Sequence, residues 1–208
     1  PHLRTMLVEQ FGVDERRVRI VPLPVLTLPG LSQRPRRAPG APLQVLFFGT
    51  LRENKGMRVL FDAISMSEGE SRLQFTIAGR GDPGLEDAVR RCAARDPRVT
   101  AEVGYISDQR RQQLLEASDV LVLPYTRFNS QSGVLSRDAY GSCTPVVASR
   151  IGALGEAVES EGTGWLVTPG DPAELAATLE KVRCSHDEYN RRLDRIGPQH
   201  LARHLADL

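Results

Sequence analysis

Short apolar runs closed by glycine or proline alternate, along most of this chain, with segments whose apolar residues recur at helical spacing. The run 44–48 (QVLFF) ends at Gly49, 74–78 (QFTIA) at Gly79 and 99–103 (VTAEV) at Gly104. Residues 120–123 (VLVL) stop at Pro124, and 145–148 (PVVA) and 165–167 complete the set. Runs this short and this apolar predict buried strands of a parallel sheet rather than strands with one wet face. Helical spacing occupies 57–64, 85–94, 108–117, 133–140, 155–159 and 172–182. Asp171 and Pro172 supply the last of these with an N-cap and a first-turn proline. A polar helix is predicted over 186–207, a short amphipathic one over 1–11 and a short strand over 18–21. Residues 28–42, rich in Pro, Gly and Arg without periodicity, read as a linker or loop. Strand and helix alternate six times, which predicts an α/β fold: a Rossmann-like doubly wound parallel sheet of about six strands with helices on both faces.

Composition narrows the partners. The 27 basic and 26 acidic residues leave a formal charge of +1, so the overall field gives no reason to expect nucleic acid. No apolar run approaches the roughly 18 residues of a membrane span, and the N-terminus carries no signal-peptide pattern. The first residue is Pro1, which raises the expectation that sequence lies upstream. The 3 cysteines, without Cys-x-x-Cys spacing, suggest neither a disulfide framework nor a zinc site and fit a reducing cytoplasm. Lys55 and Lys181 are the only lysines among 27 basic residues. A lysine retained in so arginine-rich a chain fits a need for a compact, strongly hydrated charge, although chance accounts for it equally well.

In sheets of this kind ligands bind beyond the carboxyl ends of the strands, so those ends hold the candidate chemistry. After the first strand comes Gly49-Thr50-Leu51-Arg52-Glu53-Asn54-Lys55-Gly56. A glycine that admits a ligand close to the backbone, followed by two cations, suits a diphosphate. An ordinary loop with solvated charges is the competing reading, and Gly-Lys-Ser/Thr of a P-loop is absent. After the second strand, Gly79-Arg80-Gly81-Asp82-Pro83-Gly84 forms a flexible turn that either borders a ligand or merely connects. After the fourth, the small polar residues Asn129-Ser130-Gln131-Ser132-Gly133-Val134 lead into a helix, whose free amides make an anion site. Asp138 lies within two turns of that end, placed either to accept hydrogen bonds from ribose hydroxyls or to sit solvated on the helix. His200 and His204 have metal-ligand spacing but no third ligand nearby and read as surface residues. No Asp-x-Asp occurs, so no metal on phosphates and no cofactor is suggested.

These segments together resemble the C-terminal domain of retaining glycosyltransferases with two Rossmann-like domains. This is the glycosyl transferases group 1 family, related to glycogen and sucrose synthases and to bacterial mannosyl- and glucosyltransferases. The resemblance runs from about 43 to 183 through LFFGTLRENKGMRVLFDAI, FTIAGRG, VGYISDQRRQQLLEASDVLVLPY and QSGVLSRDAYGSCTPVVASRIGALGEAVESEGTGWLVTPGDPAELAATL. It implies a nucleotide-sugar-binding domain over 43–185, an interdomain remnant and linker over 1–42 and a C-terminal helix over 186–208. It also implies an acceptor-binding N-terminal domain absent from this chain. The full protein would act in the cytoplasm, with peripheral membrane association compatible.

Residue by residue, the resemblance makes Gly49 the glycine nearest the diphosphate, Lys55 the phosphate-binding lysine and Arg52 the second cation, with Thr50 where many members carry arginine. Gly133 matches a glycine whose amide approaches the phosphates, within a Ser130-Gln131-Ser132-Gly133-Val134 segment similar to a Gln-Ser-Gly-Val subset. Ser130 and Asp138 stand where many members carry two glutamates, the first for the sugar and the second for the ribose. Gly79 borders the donor. Arg52 and Lys55 are then the catalytic pair. The competing functions are a non-catalytic sugar-nucleotide sensor or degenerate partner subunit, which Ser130 in place of glutamate favours, and a sugar-nucleotide epimerase.

Overall fold

The computed structural model describes residues 2–19, 36–67, 72–128 and 132–196. Each of the six apolar runs forms a strand: β1 (Leu43–Phe48), β2 (Leu73–Gly79), β3 (Val99–Val103), β4 (Val120–Leu123), β5 (Val146–Ser149) and β6 (Gly164–Val167). The helices are α1 (His2–Phe11), α2 (Met57–Met66), α3 (Pro83–Arg95), α4 (Asp108–Ala117), α5 (Gly152–Glu161), α6 (Pro172–Cys184) and α7 (His186–Ile196). The sheet order is β3-β2-β1-β4-β5-β6, and every pair is parallel. The chain steps outward from β1 to β3, returns through α4 to lay β4 beside β1, and steps outward the other way. The order therefore reverses between β1 and β4, and the crevice of a doubly wound sheet opens there.

Alternation along the strands feeds two cores. Val45 and Phe47 of β1, Val120 and Val122 of β4, and Trp165 and Val167 of β6 face α2, α3, α6 and α7. Leu46, Leu121, Leu123, Val146 and Ala148 face α4, α5 and the turn after β4. Buried on both sides, the central strands have no polar face, which explains their unbroken apolar sequence. The α2 stripe of Met57, Leu60 and Ile64 follows helical spacing onto the first core. Fully burying a side chain of this kind contributes about 1.5–3 kcal/mol.

One segment departs from the sequence reading. Residues 133–140 do not form an α-helix. Val134–Ala139 winds as a π-helix, with the amides of Tyr140 and Thr144 donating to carbonyls five residues back, Leu135 and Ala139. The described end of the linker is anchored. The side chain of Arg37 is buried, donates to the carbonyls of Ala41 (2.6 Å) and Arg183 (3.3 Å), and lies 3.4 Å from the Asp119 carboxylate. A short 3-10 turn, Glu15–Arg17, capped by Asp14, precedes the predicted strand 18–21, of which residues 20 and 21 lie outside the described residues. The polar helix predicted to 207 is described as far as Ile196; His200 and His204 lie beyond it. Polar as it is, α7 buries Tyr189, Leu193 and Ile196, and the Tyr189 hydroxyl donates to the Asp119 carbonyl at 3.0 Å.

Candidate functional site

The carboxyl ends of β1 and β4 meet through their loops. Beyond β1 the chain makes a 3-10 turn, Glu53–Lys55, and reverses at Gly56 before α2. Gly56 has φ +75, and a Cβ there would lie 1.7 Å from the Pro124 carbonyl oxygen, so only glycine lets the two loops pack this closely. The contact is tied by the Thr126 amide, which donates to the Asn54 carbonyl (3.1 Å), and by the Asn54 side-chain amide, which donates to the Arg127 carbonyl (3.4 Å).

This packing sets Lys55 between two rings. Its Nζ lies 3.9 Å from the Tyr125 ring centroid and 4.1 Å from that of Phe128, and the rings themselves meet edge-on at 4.8 Å. Lys55 is half-buried, and burial, followed by the charge of Arg52, pushes its ammonium down from 10.5 to about 8. Arg52 is exposed in extended backbone, and Thr50 beside it is exposed as well. Tyr125 is buried, which pushes its phenol up to about 12. Its hydroxyl lies 3.3 Å from Ser132 Oγ, which accepts from the Leu135 amide at 3.3 Å.

The turn after β4 closes the other side. A Cβ on Gly49 would come 3.5 Å from Val134 Cγ2, which brings the first strand's glycine to the start of the turn. Gly133 is exposed at φ −60, and a Cβ there would meet nothing within 4 Å. Neither backbone conformation nor packing among the described residues thus requires glycine at 133. Gly79 is buried at the end of β2, where a Cβ would lie 1.8 Å from the Gly49 carbonyl oxygen. Its smallness serves the packing of strand ends. Ser130 and Gln131 lie outside the described residues.

Asp138 is not solvated on its helix, as one of the two sequence readings has it. It is 0 % exposed. Its carboxylate is paired with Arg137 Nε at 3.2 Å and Arg111 Nη1 at 3.6 Å. Burial raises its pKa above the ordinary carboxylate value, and the two arginines oppose the shift. The carboxylate is thus held in a buried pairing with Arg111 and Arg137.

The structure thus gathers Gly49, Lys55, Ser132, Gly133 and Val134 at the switch point, with Arg52 and Thr50 on its exposed rim. Sequence reasoning did not single out Tyr125, Phe128 and Gly56. Two aromatics in the loop after the fourth strand were the available signal. Chemically, the site offers a compact cation, an exposed arginine and an open turn of backbone amides, parts suited to a diphosphate.

A family profile described as glycosyl transferases group 1 matches residues 42–183. The D-inositol 3-phosphate glycosyltransferase of Acidothermus cellulolyticus is 31% identical over 192 residues, covering 85% of this chain and 42% of that protein. The chain spans about half the length or less of the curated relatives it matches. Among solved structures, the C-terminal domain of the glycosyl transferase group 1 family protein LpcC from Francisella tularensis superposes with a TM-score of 0.60 at 19% identity, covering 76% of this chain and 84% of that one. Anabaena HepE in complex with UDP-glucose superposes with a TM-score of 0.57 at 19% identity, covering 100% of this chain and 53% of that one.

Proposed function

The chain belongs to the glycosyl transferases group 1 family, and on that premise we propose that it is the donor-binding half of a retaining glycosyltransferase that takes a nucleoside-diphosphate sugar. The observation that carries this reading is the placement of Lys55 and the open turn at Gly133 on either side of the β1–β4 switch point. As the bond between the anomeric carbon and the diphosphate breaks, the electron pair goes to the leaving phosphate oxygen. In this reading Lys55, Arg52 and the amides of the turn at Gly133 stabilise that developing charge, their geometry set before the reaction begins. Among the described residues cations rather than grouped carboxylates stand at this crevice, and in this reading they neutralise the diphosphate. The acceptor hydroxyl comes from a second domain, so this chain alone binds donor without sustained transfer.

A second reading, a sugar-nucleotide-binding module without transfer activity, is favoured by the closure of Asp138 under two arginines. A thermal-shift panel of nucleosides, nucleoside diphosphates and their sugars tests the binding common to both. The melting midpoint is expected to rise with at least one diphosphate and to rise much less with the corresponding bare nucleoside. No response to any diphosphate would refute both. Adding a separately expressed acceptor domain then separates them, because only the transferase reading expects sugar to reach an acceptor.

The ammonium also predicts a pH signature. Its folded value, about 8, lies below the ordinary 10.5. Between those values the unfolded chain binds more protons at this site, so the contribution of Lys55 to stability rises with pH there. Donor binding needs the charged form and has the opposite slope. Affinity for a nucleoside-diphosphate sugar is expected to fall by up to about tenfold per pH unit above about pH 8. Calorimetry across that range checks this, and a flat profile for the intact chain would count against charge on Lys55 as the binding element.

A further inference from the structure

A lysine poised for an anion must be held in place without being neutralised. A carboxylate would fix Lys55, but it would also cancel its charge and compete with phosphate for its three N–H donors. Among the described residues no carboxylate pairs with Lys55, and the one charged side chain that shifts its titration is Arg52, of the same sign. Two ring faces take the place of a counter-ion. Attraction to an aromatic quadrupole holds an ammonium while leaving its full charge available.

We infer that Tyr125 and Phe128 are positioning residues that cage the ammonium of Lys55 at the switch point, ready for a diphosphate; the second half of this statement rests on the donor-binding reading. Three features set this cage apart from ordinary core packing. Both rings contact Nζ, at 3.9 and 4.1 Å, although they belong to a different loop from the lysine. That loop is tied to the lysine's own by the Asn54 bonds to Thr126 and Arg127. The buried Tyr125 reaches past the lysine to Ser132 Oγ, which in turn accepts from the Leu135 amide at the start of the open turn. One side chain therefore sets the cation and the amide-bearing turn relative to each other. Holding a flexible lysine in this way lowers the ordering cost of binding.

The chain has only two lysines, so their side-chain ε-methylene resonances are simple to assign. With both rings over Nζ, the Lys55 signal of the ligand-free chain should be displaced upfield from that of Lys181. Phe128→Leu, a change from one apolar side chain to another at a partly exposed position, should remove part of that displacement. The same substitution should weaken nucleoside-diphosphate binding roughly three- to tenfold. In a Lys55→Ala background it should have no further effect, because no ammonium remains to be positioned. Coincident Lys55 and Lys181 resonances would overturn the cage. Equal losses from Phe128→Leu in both backgrounds would overturn the positioning role, since the ring would then act on the ligand or the fold. A displaced resonance in a chain that binds no nucleoside diphosphate would sink the donor-binding reading and leave the cage standing.

Discussion

Lys55→Ala is expected to weaken nucleoside-diphosphate binding by about 1.5–3 kcal/mol, roughly ten- to a hundredfold, the scale of a charge-assisted hydrogen bond. Binding of the bare nucleoside should change far less, because the lost group reads phosphate alone. The effect should be large because the charge is already half desolvated, and a cation shielded from water interacts more strongly with an anion than one on an open surface. The fold should survive. A native state that holds its lysine at about 8 rather than 10.5 carries that charge at a cost, so removing it takes away no native ion pair among the described residues. Calorimetry with a nucleoside and its diphosphate, side by side, measures the outcome. Equal losses for the two ligands would remove Lys55 from the phosphate site.

The second large effect is expected at glycines that differ in what surrounds them. Gly56→Ala should destabilise the chain by at least about 2 kcal/mol, because it combines a left-handed backbone with a steric conflict that only separation of two loops relieves. The added methyl would lie 1.7 Å from the Pro124 carbonyl oxygen, and no rotamer change can move a backbone atom away. Since Lys55 is the preceding residue, diphosphate binding should fall with stability. Gly133→Ala should behave in the opposite sense. Its backbone is right-handed and the methyl meets nothing within 4 Å, so the melting midpoint should hold or rise slightly while diphosphate binding drops. Denaturant titration and calorimetry on the two variants test the pair. If Gly133→Ala leaves diphosphate affinity unchanged, the open turn is not the anion's seat.

The parallel sheet, its six strands and the place of Lys55 in the loop after the first of them were legible because each depends on a local rule. Doubly buried strands must be apolar throughout, and the glycine after β1 marks where the backbone turns beside the crevice. What stayed hidden depends on contacts between distant segments. Asp138 looks like a surface carboxylate because nothing near it in sequence reveals that Arg111, on α4, closes over it. Arg37 sits in a stretch with linker composition, yet Asp119, Tyr189 and the Arg183 carbonyl hold it. The π-helical turn at Val134–Ala139 keeps helical spacing of its apolar residues, and a shift from four- to five-residue hydrogen bonds has no compositional mark. The Tyr125–Phe128 cage was missed because a loop rich in small polar residues draws attention to its amides rather than to its rings.

The reversal of strand order has a mechanical side. β1 pairs with β2 over six residues but with β4 over only two, Val45 with Val120 and Leu46 with Leu121. The sheet is therefore two leaves joined along a short seam. One end of the seam is riveted where the Gln44 amide donates to the Asp119 carboxylate and the Asp119 amide donates to the Gln44 carbonyl, each at 2.8 Å. The other end is riveted by the loops that clamp Lys55. A donor seated between Gly49 and Gly133, as the proposed function has it, would lie across this joint and brace both leaves at once.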